Sequence, residues 1–163
     1  MTSKEEVENW DKILDDYEKG IGLPAYQSEC MPESELQEYL TMPRSSLEKT
    51  TPEDCGQIAY RLAQFGFHLQ RTINRETARV NWAEDTIKEV IADDINNYNG
   101  YGYLEKSSQA IKHNERANML NKIQKYAKQR ADRLTYLASA IKNLSDILIS
   151  CLLYTSPSPR DDT

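Results

Sequence analysis

Between Pro52 and about Asp94 the chain contains no further proline, and glycine only at positions 56 and 66. A stretch that long, free of breakers and periodic in apolar residues, has few structures open to it besides a helix. Some 40 helical residues extend about 60 Å at 1.5 Å per residue. Thr51-Pro52-Glu53-Asp54 supplies the start: an N-cap threonine, proline at the first helical position and an acid at the third. Ile58, Leu62, Phe65, Leu69, Ile73, Val80, Ile87 and Ile91 form its seam. The gap around Thr77 and Glu84 marks a helix packed on neighbours more than an ideal coiled coil.

Asn96-Asn97-Tyr98-Asn99-Gly100-Tyr101-Gly102-Tyr103 then reads as a turn, because asparagine and glycine tolerate left-handed backbone. A second long helix is expected from Leu104 to at least Ile149. Its heptad is clear: Leu120, Ala127, Leu134, Ile141 and Leu148 alternate with Ile123, Leu137 and Leu144. Arg130 alone interrupts it, and a buried arginine must be paired, so it either sets register or meets a ligand. The expected fold is all-α, a long antiparallel helical hairpin, coiled-coil-like, with shorter N-terminal helices. A bare hairpin leaves seams exposed, so those helices or further copies of the chain are expected to cover them, and a homo-oligomer is predicted.

Upstream, Val7, Trp10, Ile13, Leu14 and Tyr17 predict an amphipathic helix over Ser3 to Lys19, stopped at Gly20. Gly22, Pro24 and Pro32 make 20–32 a linker, and Ser34 to Thr41 a short helix ended by Met42-Pro43. The organisation is thus an acidic arm over 1–50 and a hairpin domain over 51–150. Cys151 to Asp161 resembles a translated sequencing adapter, so 151–163 reads as a non-native tail and the protein's own frame as ending near Ser150.

The net charge of −6 conceals a division along the chain. Residues 1–56 carry 14 acidic and 5 basic side chains, whereas 57–150 carry 10 acidic and 14 basic. Overall acidity therefore does not exclude a polyanionic partner, since local potential governs approach within a Debye length. The acidic arm is able to cover or compete for the basic body.

The mean hydropathy of −0.74 and the absence of a long apolar run predict a soluble protein with no membrane span. With Cys151 assigned to the tail, Cys30 and Cys55 show no metal-ligand spacing and fit a reducing, cytoplasmic setting. His68 and His113 stand on separate segments, and neither follows a glutamate by three residues. The carboxylates Glu84, Asp85, Glu89, Asp93 and Asp94 thus lack the histidines of a di-iron bundle. No phosphate-binding glycine loop, nucleophile motif or zinc pattern occurs. The expectation is a non-catalytic protein without metal or cofactor.

Two basic groups remain as binding candidates. Arg71, Arg75 and Arg79 form a ladder at four-residue spacing, and Trp82 lies one turn beyond. Guanidinium forks match phosphate oxygens and indole stacks on bases. The competing reading pairs these arginines with carboxylates on other helices and puts Trp82 in the core. The second group is Lys112, Arg116, Lys122, Lys125, Lys128, Arg130 and Arg133, with Tyr126 interleaved. A basic stripe with an aromatic neighbour is a single-strand nucleic-acid footprint, or else a solvated helix face. Tyr98, Tyr101 and Tyr103 either grip bases or pack over the hairpin tip.

Residues 56–149, about 60% of the chain, resemble the UvsY-type recombination mediators of tailed phages. The likeness lies in a long charged helix leading to Ile95-Asn96-Asn97-Tyr98-Asn99-Gly100, then Tyr103-Leu104-Glu105-Lys106-Ser107. The helix carrying Lys112, Arg116, Leu134, Tyr136, Leu137 and Leu144 follows. The resemblance implies a non-catalytic oligomer in an infected cell that binds single-stranded DNA. It would load a RecA-like recombinase while displacing single-strand-binding protein. This chain departs from the family at Ala92-Asp93-Asp94, where the family has a basic cluster. Any DNA contact is then expected at Arg71, Arg75 and Arg79. The alternative function is a coiled-coil protein–protein adaptor or virion-assembly component with no nucleic-acid binding.

Overall fold

The computed structural model describes residues 2–155, so the suspected tail beyond Thr155 lies outside the described residues. The described residues are all-α. Helices α1 (Ser3–Gly20), α2 (Glu33–Leu40) and α3 (Arg44–Lys49) precede the long α4 (Pro52–Ile91). After a 3-10 turn at Ile95–Asn97 come α5 (Tyr103–His113) and the long α6 (Glu115–Thr155), which packs on α4 as the second arm of the hairpin.

Local chemistry fixes these boundaries. The Thr2 hydroxyl accepts from the Glu5 N–H at 3.3 Å while the Glu5 carboxylate accepts from the Thr2 N–H at 3.0 Å, a complete capping box. Gly22 ends α1's excursion at φ +86, a region that costs any residue with a Cβ. The Thr51 hydroxyl accepts from the Asp54 N–H at 3.2 Å and opens α4 as the sequence predicts.

The hairpin turn is built differently from expectation. Gly22 is the only described residue with positive φ, so the Asn/Gly-rich turn uses no left-handed backbone. Gly102 is extended and caps α5, while Gly100 leaves space for Glu105, whose Cγ would lie 3.1 Å from a Cβ there. Glu105 folds back to accept from the Tyr101 N–H at 3.1 Å. Nor is the second helix continuous from Leu104. Asn114 is extended, and its side chain accepts from the Ala117 N–H at 3.0 Å, so α6 begins with its own N-cap.

The contacts divide the fold into two compact units. Among the described residues, one joins 2–26 with Ile73–Asp132, and the other joins Gln27–Thr72 with 133–155. The acidic 1–50 segment is therefore shared between them. In the first unit, Ile87 and Ile91 of α4 close on Ala110, Ala117, Leu120 and Ile123, with Val7 and Trp82 at the margin. In the second, Cys55, Ala59, Leu62, Phe65 and Leu69 face Ile141 and Leu148, and Met31, Leu36, Tyr39 and Leu47 cover that core.

Within the second unit, α2 is held by one carboxylate. Arg61 donates from Nε and Nη2 to the two oxygens of Glu35, each at 2.9 Å, and the Tyr39 hydroxyl donates to the same carboxylate at 2.8 Å. The Arg61 hydrogen bonds, then that from Tyr39, lower the Glu35 pKa from 4.5 to about 2. A depressed carboxylate stabilises the fold above its unfolded pKa, and the contribution disappears as pH falls from about 4.5 to about 2. Wild-type protein is therefore expected to unfold at a higher temperature than Glu35→Gln at neutral pH, with the gap closing by pH 2. Paired melts by circular dichroism across that range test this, and a constant gap would contradict it.

Candidate nucleic-acid interface

Helix α1 turns inward part of the face its apolar spacing predicts, Val7, Trp10 and Leu14, but is rotated so that two acids join it. Ile13 and Tyr17 are exposed, whereas Glu6 and Glu18 are buried with Trp10 and Leu14 partly covered between them. The reason lies on the facing helices. Arg116 of α6 reaches Glu6 at 3.1 Å, Arg75 of α4 reaches Glu18 at 3.0 Å and Asp15 at 2.8 Å, and Arg79 reaches Asp11 at 2.6 Å. A guanidinium removed from water needs anionic partners, and here these pairs outweigh the burial of two more apolar side chains.

Arg75 and Arg79 are accordingly well covered, with 13% and 16% of their side chains exposed. Arg75 also lies 4.3 Å above the ring of Tyr26. Burial works against its charge, but the Asp15 hydrogen bond and the Glu18 carboxylate more than offset this and hold its pKa above the ordinary value. Arg79 also donates to Glu76, whose carboxylate pairs at 3.2 Å with Arg130. Trp82 stacks on Trp10, ring centroids 5.4 Å apart and planes 8° from parallel. Arg71 belongs to the second unit, where it is half-buried and acts, after burial, to lower the pKa of His68.

Arg130, expected as a buried interruption of the heptad, is instead half-exposed, its guanidinium on Glu76 and its stem beside a groove that Val7, Ile123 and Tyr126 also line. It stands at the edge of the seam, so it sets no buried register. Lys122, Lys125 and Lys128 are exposed on the same helix, Lys122 and Lys125 on the side away from Leu120, Ala127 and Ala131 and Lys128 on its flank. Tyr126 stands among them, 61% exposed. Among the described residues none of these lysines is in an ion pair. Each step of three residues falls about 60° short of a full turn, so the ammonium groups wind around the outside of α6. Arg133 is exposed in the second unit.

The tyrosines of the turn divide. Tyr98 packs back on His113, centroids 5.8 Å apart and planes 3° from parallel, while Tyr101 and Tyr103 are exposed. That stack and the Glu6–Arg116 pair engage three of the groups lining an open hollow of about 760 Å³ beside Asn114 and Met119. Its chemistry is that of a polar surface: no nucleophile stands beside a base there. Burial raises the Cys55 thiol's pKa, leaving it an unreactive core group. Among the described residues no three His, Cys, Asp or Glu side chains converge as metal ligands, and no helix is long and apolar enough to cross a membrane. The second unit has an apolar groove of about 410 Å³, floored by Leu62 and Ile141 and edged by Phe67, Lys142 and Asp146.

Sequence reasoning singled out the arginines and lysines but missed their acidic partners Glu6, Asp11, Asp15 and Glu18. The available signal was spacing: Asp11 and Asp15 repeat the four-residue interval of Arg75 and Arg79. No family model, curated protein or solved structure matches this chain.

Proposed function

We propose that this protein binds single-stranded DNA through the outer face of α6 and acts as a non-catalytic accessory factor of phage recombination or replication. In that role it helps a RecA-like recombinase onto DNA held by single-strand-binding protein, and it works as a homo-oligomer. The observation that carries this reading is the set of solvent-facing Lys122, Lys125 and Lys128, unpaired among the described residues, with exposed Tyr126 one turn from Lys122. Unpaired ammonium groups release condensed counterions from phosphates without first breaking a protein ion pair, and the phenol offers a base a stacking plane.

Three phosphate contacts give a salt slope near −2 on a single strand, hence about a twentyfold loss of affinity between 50 and 200 mM salt. Fluorescence anisotropy of labelled oligo-dT should show that loss, and Lys122→Gln/Lys125→Gln/Lys128→Gln should bind weakly at both concentrations. Affinity indifferent to salt, or a triple variant that binds like wild type, would exclude the lysine face.

A second reading, a protein–protein adaptor or virion-assembly component, is favoured by two other observations. Arg75, Arg79 and Trp82 are engaged within the molecule, and the groove beside Phe67 is apolar with that ring 79% exposed. In this reading Arg71→Ala/Arg75→Ala/Arg79→Ala lowers thermal stability with no separate loss of DNA binding.

A further inference from the structure

We propose that α1 is a releasable clasp over a second single-strand-binding surface, formed by Arg75, Arg79 and Trp82, and that single-stranded DNA displaces it. The inference rests on the reading of single-stranded DNA as the ligand. What α1 places on α4 has the chemistry of such a strand. Asp11 and Asp15 set carboxylates on Arg79 and Arg75 at an interval of about 6 Å along the helix. Trp10 lies flat on Trp82 as a base would. An acidic helix with a stacked ring thus occupies the positions of phosphates and base.

Three features make the clasp displaceable. Its only buried residues are the carboxylates Glu6 and Glu18, so it is held by ion pairs more than by apolar area. Asp15 is 58% exposed and accessible to competing ions. The interface is also incompletely satisfied: Arg79 Nε and Trp10 Nε1 are buried without a hydrogen-bond partner. A phosphate, with more acceptor oxygens than one carboxylate, offers Arg79 what Asp11 leaves unmet. Affinity for the covered surface is then reduced by the fraction of molecules in which the clasp is closed.

The two tryptophans of the chain are the two partners of the stack, so tryptophan emission reports on the clasp. Full-length protein is titrated with labelled oligo-dT while anisotropy and tryptophan emission are followed together. Emission should change in step with binding. Asp11→Asn/Asp15→Asn should bind about tenfold more tightly, because opening no longer breaks two ion pairs. The control Glu8→Gln/Asp16→Asn removes the same charge from exposed positions of α1 that pair with neither Arg75 nor Arg79, and should change affinity no more than about twofold. Adding Arg75→Gln/Arg79→Gln to the tight variant should abolish the gain.

Binding by wild type without a change in emission would overturn the clasp and leave the lysine face standing. That readout needs no variant to fold. Equal affinities for the two asparagine-bearing variants would also overturn it. A gain in Asp11→Asn/Asp15→Asn alongside a Lys122→Gln/Lys125→Gln/Lys128→Gln variant that binds like wild type would instead uphold the clasp and remove the lysine face from the proposed function. Inorganic polyphosphate serves as the base-free probe: emission changes matching those with oligo-dT would overturn the base-stacking role of Trp82.

Discussion

Leu120→Ala is expected to lower the unfolding free energy by about 3–4 kcal/mol, within the usual span for a buried leucine truncated to alanine. Leu120 is 0% exposed and closes with Ile87, Ile91, Ala117 and Ile123. Shortening its isobutyl side chain to methyl loses the transfer free energy of three carbons and leaves a cavity that two rigid helices cannot collapse to fill. Small neighbours sharpen the effect: Ala110 and Ala117 have no atoms to swing into the gap. Tyr136→Ala, whose ring is 81% exposed, is the comparison and should stay within about 0.5 kcal/mol of wild type. Urea unfolding followed by circular dichroism reads both, and a Leu120 loss below about 1 kcal/mol would contradict the packing described for this core.

That core was legible because one physical quantity, apolar periodicity, decides it. Leu62, Phe65, Leu69, Ile87 and Ile91 of the α4 seam are buried, as are Leu120, Ile123, Ala127, Ile141 and Leu148 of the heptad. What periodicity does not contain is which way a helix turns when charge and apolar area compete. Ile13 and Tyr17 belong to the apolar spacing of α1 and are exposed, because Arg75, Arg79 and Arg116 draw Glu6, Asp11, Asp15 and Glu18 toward the hairpin. Those arginines are 57 (Arg75 to Glu18) to 110 residues away in sequence, so the competition is invisible locally. The Asn114 break has a different cause: a residue in the middle of a helical pattern became an N-cap, and its side chain's bond to Ala117 replaces the lost helical one. Among the described residues no carboxylate pairs with Lys122, Lys125 or Lys128, so their exposure follows from helical position alone.

The arginine cluster yields the second large effect. Arg75→Leu is expected to cost about 2–3 kcal/mol, because it leaves the Glu18 carboxylate buried with its cation removed. The figure lies below that for fully buried pairs because Asp15, the other partner, keeps much of its hydration. Glu18→Leu should cost somewhat less, since Arg75 retains Asp15 and the face of Tyr26. The double variant Arg75→Leu/Glu18→Leu should return to within about 1 kcal/mol of wild type, as apolar replacements of buried pairs do. Denaturation of the four proteins gives the coupling energy directly, and additive losses would mean that the two side chains do not depend on each other. The asymmetry between single and double variants bears on function. If leucine at both positions restores stability, folding alone does not require charge between α1 and α4. The guanidinium groups under α1 would then be available to the exchange with single-stranded DNA proposed above without loss to the fold.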